Sequence, residues 1–553
     1  VVRDQEVGMR GGRVVAVSAA SALVLAVLYL TLPVTGSDLS AQVARADFFA
    51  AHGSALVDLR WYGGVHPWGY SLVSPPLMAA LGVRPTGALA LLASATAFAA
   101  LLVRLRVPRP LSGSLVGVVT IAGNLVSGRV TYALGVAFGL AALLALTLPA
   151  APDGRPSGGP AGTAGPARWS RAGWVRAAAV GVAALLASAA SPVAGLFVGL
   201  AGVALLLTRR YADGLLLAVP AAGPLAVTGL LFGEGGWMNI SRADTTHAVV
   251  TSLLVAALVA YRPVRVGALL SAAGVLAAAL LPTPVGLNAT RLVVMFALPV
   301  LAAAATLPTR LTARWPAVRR LPRAAGAVAV AALLAVVCWW QPPVVTADVR
   351  SAGDPTADPA YFAPLRAELD RRGLTGRVEV PPTRNYWEAA RLGEVPLARG
   401  WLRQADIDRN PLFFTTVPGA AGTGVPLTPD SYRAWLADNA VQYVAVPDVE
   451  LSWVGRPEAE LVTAGQPYLT EVWSGRHWRL YAVADPTPLV GAPGELVRQD
   501  GASVTFRAPG PGPVPVRVRH DRWSTVTGGA TLAADDGWTV VTVPRAGTYT
   551  LGS

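Results

Sequence analysis

Side chains able to do chemistry are scarce in this sequence and collect in a few polar stretches between long apolar runs. The richest is residues 35–74, which holds Asp38, Asp47, Asp58, Arg45, Arg60, His52 and His66 among aromatic residues. Shorter stretches carry Arg129 in Ser127-Gly128-Arg129, Glu234 in Phe232-Gly233-Glu234-Gly235-Gly236, Asp244, and the pair Asn288 and Arg291. A carboxylate can serve as general base for a hydroxyl, and a guanidinium can neutralise a phosphate through two parallel hydrogen bonds. Asp38 is the first candidate for the acid and Asp47 the second, while Arg129, Arg291 and Asn288 are candidates for binding an anionic phosphate. Glu234, His66, Trp387 and Trp401 are candidate accessory or acceptor-binding groups, because flat aromatic faces can stack on sugar rings.

Each candidate has a structural alternative. Asp38 follows Ser37 at the start of an expected amphipathic helix, Leu39–Ala51, where it can act as an N-cap. Asp47 can pair with Arg45, and Arg129 and Arg291 can snorkel at helix ends. Glu234 sits in a glycine-rich loop open to solvation, and buried tryptophans in small domains commonly form core. His52 and His66 are too far apart, without further ligands, to argue for a metal site. No nucleophile elbow, phosphate-binding loop, Cys/His cluster or dinucleotide-binding glycine pattern occurs in its required context.

The elements that must position these groups are membrane helices. Of 553 residues, 53% are hydrophobic and 14% charged, against about a quarter charged in a soluble domain. The net charge of +13 comes from Arg residues clustered in short loops between apolar runs, which reflects topology and implies no nucleic-acid partner. The single cysteine, Cys338, lies in an apolar run and excludes an intrachain disulfide. The first run, Val14–Val34, is longer than a signal-peptide core and lacks a small-residue cleavage site, so it reads as a retained anchor. Ten further runs follow: Thr86–Val103, Leu111–Val126, Val130–Leu148, Val175–Ala190, Val193–Thr208, Gly214–Phe232, His247–Ala260, Val266–Leu281, Leu292–Leu307 and Ala324–Trp340. A hydrocarbon core of about 30 Å needs about 20 apolar residues, which gives about eleven spans.

With the N-terminus in the cytoplasm, the loops at 104–109, 149–173, 209–210, 262–265 and 310–323 fall inside, and all are rich in Arg. The loops carrying Asp38, Arg129, Glu234 and Arg291 then fall outside, together with everything after the last span. No Asp, Glu or Arg lies near the midpoint of a run, where ion-coupled transporters keep such groups.

Three regions are expected: a transmembrane domain over 1–343, a mixed α/β domain over 344–490 and a small β-sandwich over 491–553. The first outer loop covers 35–74, a Pro/Gly-rich linker lies at 149–173, and the Pro-interrupted Tyr70–Gly82 reads as re-entrant or interfacial. Arg377–Val380, Val441–Val446 and Trp478–Val483 read as strands of the mixed domain, with helices at Pro364–Arg371 and Ser431–Asn439. Strands at Ser503–Arg507, Val514–Val518, Trp538–Val543 and Thr548–Leu551 read as the sandwich.

One span, a long outer loop with an early acid (Gly36-Ser37-Asp38), an aromatic-Pro stretch (Trp61-Tyr62 to Pro75-Pro76-Leu77), many more spans and an exported tail form a recognisable order. That order resembles the GT-C superfamily of integral-membrane glycosyltransferases. The tail stretches Ala398–Asp406 and Tyr432–Pro447 are similar to those of uncharacterised bacterial members. The resemblance implies a polytopic α-helical GT-C-like fold, a polyprenyl-phosphate sugar donor, an extracytoplasmic glycan or lipid acceptor, and a location in the cell membrane among its lipids. It also implies an acid of the first outer loop as catalytic base, matched here by Asp38, with outer basic residues holding the donor phosphate in an inverting transfer. The family's paired Asp-x-Asp or Glu-x-Asp is absent, because Leu39 and Ser40 follow Asp38, so no motif supports a divalent cation. A transporter or lipid flippase, or a non-catalytic scaffold in envelope assembly, is the alternative.

Overall fold

The structure, a computed structural model, describes residues 2–149, 171–306 and 323–553, with side chains throughout except at 2–10 and 323–326. Most of the linker at 149–173 and of the basic loop at 310–323 lies outside these residues.

Every expected apolar run coincides with a helix. The long ones are α1 (Val2–Thr31), α4 (Val83–Arg104), α7 (Arg171–Ala190), α9 (Tyr211–Leu231) and α11 (Arg262–Leu280). Shorter are α5 (Pro110–Val126), α6 (Val130–Leu146), α8 (Pro192–Leu207), α10 (Arg242–Leu258), α12 (Arg291–Ala304) and α13 (Arg323–Trp340). A 3-10 turn at Gly286–Thr290 runs directly into α12. Among the described residues, six segments are long and apolar enough to cross a bilayer: Gly11–Thr31, Val83–Arg104, Arg171–Ala190, Tyr211–Leu231, Arg262–Leu280 and Gly286–Ala304. The other expected spans are helices of 18 residues or fewer; at about 1.5 Å per residue a 17-residue helix reaches only about 25 Å. The chain is a multi-pass α-helical membrane protein.

Helices α1, α4, α6 and α7 pack in succession, α8 lies along α9, and α5 lies along α12. Leu, Val and Ala side chains such as Leu23, Val182, Leu230 and Leu280 stay exposed on the bundle's outside, which places apolar surface where lipid can solvate it. Two short helices, α2 (Leu39–His52) and α3 (Ser74–Leu81), sit at one end of the bundle. Ser71 Oγ and Ser74 Oγ donate to the last carbonyls of α7, at Ala189 and Ala190, so the 70–82 segment rests on a helix end.

The tail begins with a four-stranded sheet in the order β1-β2-β4-β3. Its strands are β1 (Arg377–Glu379), β2 (Val441–Pro447), β3 (Leu469–Ser474) and β4 (Trp478–Val483). β1 and β2 are parallel, and the remaining pairs are antiparallel. A second unit follows, with β5 (Glu495–Gln499), β6 (Ser503–Ala508), β11 (Gly547–Gly552) and β8 (Thr525–Val526) in one sheet. β7 (Gly512–Arg519), β10 (Trp538–Val543) and β9 (Thr531–Asp535) make the other, and Phe506, Val514, Val516, Val541 and Tyr549 fill the space between.

The stretch 35–74 is not a free loop. Leu397 N–H donates to Arg60 O at 2.7 Å, Leu59 N–H to Gly501 O at 2.7 Å, and Arg519 N–H to Gly63 O at 2.8 Å. Val57 and Leu59 share the core of the last two sheets. The stretch therefore forms a layer between bundle and tail, with its backbone groups satisfied by both.

Candidate functional site

Asp38 is placed by an approach of two backbones. Gly36 has φ +107° and Gly128, in the turn joining α5 to α6, has φ +76°; a Cβ on Gly36 would stand 2.5 Å from Gly128 N. Only glycine fits both the torsion and the space. The contact lets Asp38 N–H donate to Ser127 O at 3.1 Å and Thr35 Oγ1 to Val126 O at 3.1 Å.

Asp38 occupies the N-cap position of α2, but its side chain accepts no helix N–H. The capping role is therefore not taken. Instead Asp38 Oδ2 lies 3.3 Å from Arg129 Nε and 3.3 Å from Arg291 Nη2. These side chains are only 13%, 23% and 14% exposed. Tight charge-assisted bonds run at about 2.7–2.9 Å, so the carboxylate is held loosely by two cations. Arg291 also lies over the Tyr132 ring at 5.4 Å.

The three residues line one cavity of about 900 Å³ between the bundle and the tail. Tyr70, Tyr132, Tyr386 and Trp401 add aromatic surface, while Val193, Leu196, Leu225 and Val294 line its apolar side from α8, α9 and α12. The tail reaches in through Trp401, whose Nε1 donates to Ser37 O at 2.9 Å next to Asp38. Asn288 also lines the cavity, with Nδ2 3.3 Å from Met238 Sδ. It is positioned by the turn that starts at Gly286, whose φ is +42°.

Arg45 belongs to the same wall, although the sequence reading paired it with Asp47. It is 5% exposed, and its guanidinium lies 3.7 Å from the Tyr70 ring centroid and 5.5 Å from that of Trp401. Its Nη1 has no hydrogen-bond partner. Burial pushes this guanidinium below its ordinary value, partly offset by Tyr70, Asp58 and Asp38. Asp58, which also lines the cavity, is committed to Arg60 through bonds of 2.9 and 2.8 Å.

Asp47 stands apart from the cavity because of helix geometry. Nine residues at 3.6 per turn are two and a half turns, so Asp47 lies on the face of α2 opposite Asp38, exposed and outside the cavity. Trp387 is 2% exposed inside the core and does not line the cavity.

Glu234 and His66 do line the cavity, but their polar atoms are engaged. His66 Nε2 lies 2.7 Å from Asp521 Oδ2 and its Nδ1 3.0 Å from Glu234 Oε1, while Glu234 Oε2 accepts from Arg409 Nη2 at 2.7 Å. Burial pulls the imidazole down, but hydrogen bonds to Asp521 and Glu234 outweigh it and raise its pKa to about 9. Together these residues tie the first layer to the last two sheets. Among the described residues, no three His, Cys, Asp or Glu side chains converge as metal ligands.

Fold and site together define a class: a polytopic membrane protein whose polar reactive groups face a cavity closed by its own tail. No family model and no curated protein matches the sequence. Among solved structures, it is similar to the arabinofuranosyltransferase AftD from Mycobacteria, with a TM-score of 0.44 and 18% identity over 89% of this chain and 40% of that one. A point mutant of AftD aligns with a TM-score of 0.44 and 21% identity over 86% of this chain and 42% of that one. ArnT from Cupriavidus metallidurans in the apo state aligns with a TM-score of 0.41 and 15% identity, over 86% of this chain and 99% of that one. The chain thus spans about two-fifths of the AftD chains it aligns with.

Proposed function

We propose that this protein is a membrane glycosyltransferase of GT-C type. It moves a sugar from a polyprenyl-phosphate donor to a glycan or lipid acceptor on the extracytoplasmic side. The observation that carries the reading is the carboxylate of Asp38 held loosely between Arg129 and Arg291 on the wall of a largely apolar cavity.

In the resting site the two guanidiniums are shared by one carboxylate. A donor phosphate offers them more oxygen acceptors and takes them over, which releases Asp38 to accept a proton from the acceptor hydroxyl. The acceptor oxygen then attacks the anomeric carbon from the face opposite the phosphate, giving inversion. The apolar wall from α8, α9 and α12 suits the polyprenyl chain, and the aromatic residues suit the sugars. The Arg residues of the described loops at 104–109, 209–210 and 262–265 lie outside the cavity lining and support a cytoplasmic N-terminus and an exported tail.

The test is transfer itself. Purified protein in proteoliposomes, given a panel of polyprenyl-phosphate sugars and envelope glycan acceptors, is expected to release polyprenyl phosphate in step with acceptor glycosylation. Vesicle uptake of a substrate without any transfer supports the transporter alternative and overturns this reading.

A further inference from the structure

Among the guanidiniums that line the cavity are those of Arg45, Arg129 and Arg291; Asp58 and Glu234 line it too but are committed to Arg60 and Arg409, and among the described residues Asp38 is the carboxylate that pairs with any of the three. Two of them share Asp38, and among the described residues no carboxylate lies within ion-pairing distance of the third. A buried cation without a counter-ion costs several kcal/mol. Such a group persists where a ligand completes it. Arg45 is held in place by the Tyr70 and Trp401 rings, which leave its Nη1 without a hydrogen-bond partner. Its unpartnered Nη1 is therefore available to an anion.

We propose that Arg45 is a catalytic residue that binds the departing phosphate as it gains its second negative charge. The inference rests on the glycosyl-transfer reading. In the step, the acceptor oxygen forms a bond to the anomeric carbon and gives its proton to Asp38. The bond from that carbon to the phosphate oxygen breaks, and its electron pair stays on the phosphate. A phosphodiester with one charge becomes a phosphomonoester with close to two, since the second proton of such a group dissociates near pH 6. Arg129 and Arg291 suffice for the donor's single charge once Asp38 is released, and Arg45 meets the charge that develops. The spacing is built into the helix: Arg45 is seven residues, or two turns, after Asp38, so both emerge on one face of α2.

Two soluble probes separate the charge states: decyl phosphate, a monoester, and methyl decyl phosphate, a diester. Binding is measured by calorimetry on the full chain in lipid nanodiscs. The wild type is expected to prefer the monoester, and Arg45→Gln to weaken it about 10- to 100-fold while changing the diester less than threefold. Arg45→Met, which keeps the stem against Tyr70, is expected to do the same, and melting curves verify that either variant is folded. Unchanged monoester binding, or equal loss for both probes, overturns the proposal. Arg291→Gln serves as the separate control: if it leaves both probes unaffected, the phosphate reading of the whole site falls, whereas loss there and none at Arg45 removes Arg45 alone.

Discussion

Gly128→Ala tests whether the backbone approach at 36–39 sets the activity. A Cβ at position 128 would stand 2.5 Å from Leu39 N and 2.6 Å from Leu39 Cβ, in a residue whose φ is +76°. Left-handed torsion costs a non-glycine residue about 1–2 kcal/mol, and overpacking a tight contact adds about 1–3 kcal/mol. Relief to an ordinary carbon contact requires a shift of about 1 Å, borne by Leu39 and the adjoining Asp38. A displacement of about 1 Å at a reacting group can cost about a hundredfold in rate. The expected result is a melting point lowered by several degrees and transfer lowered about a hundredfold, with donor affinity changed far less. Wild-type transfer rates in a folded Gly128→Ala protein would refute the positioning argument, because the loop would then tolerate movement that the site is said to forbid.

Other expectations follow from single contacts. His66 has a folded pKa raised to about 9 from 6.5, so its contribution to stability is complete below about pH 6.5 and disappears as pH rises through 9. Melting curves from pH 6 to 10 should show this loss, and His66→Gln should flatten that part of the profile. Asp47→Asn, on the exposed face of α2, is expected to leave transfer within twofold of wild type in the same assay. Trp387→Ala should cost about 3–5 kcal/mol in urea unfolding, as for other buried aromatics, while leaving glycan affinity of the folded fraction unchanged.

Much of the scaffold was legible in the sequence because apolar runs and Arg-rich loops are local signals. The helix expected at Leu39–Ala51 is found at Leu39–His52, and the strand expected at Trp478–Val483 has those bounds. β3 and β9 escaped notice because both are largely exposed and carry charged residues, Glu471 and Asp535, that blur the alternation. The interlacing of 35–74 with the tail was invisible, since pairs such as Arg60 with Leu397 join residues more than 300 apart in the chain. Within the site, Asp38, Arg129, Arg291 and Asn288 were singled out from residue type and loop position, and the fold brings them to one cavity. The helical period held a further signal that residue type alone concealed: it places Arg45 with Asp38 and turns Asp47 away. Trp387 was beyond reach, because nothing local distinguishes a sugar-stacking tryptophan from one buried by distant segments.

The most direct measurement is the transfer rate of Asp38→Asn beside its donor affinity. Asparagine keeps the size of the side chain and cannot take the proton, so kcat should fall about 10²- to 10⁴-fold. Donor binding should hold or tighten, since Arg129 and Arg291 lose their resident counter-ion. An Asp38→Asn protein that transfers sugar at the wild-type rate would contradict the account at its centre.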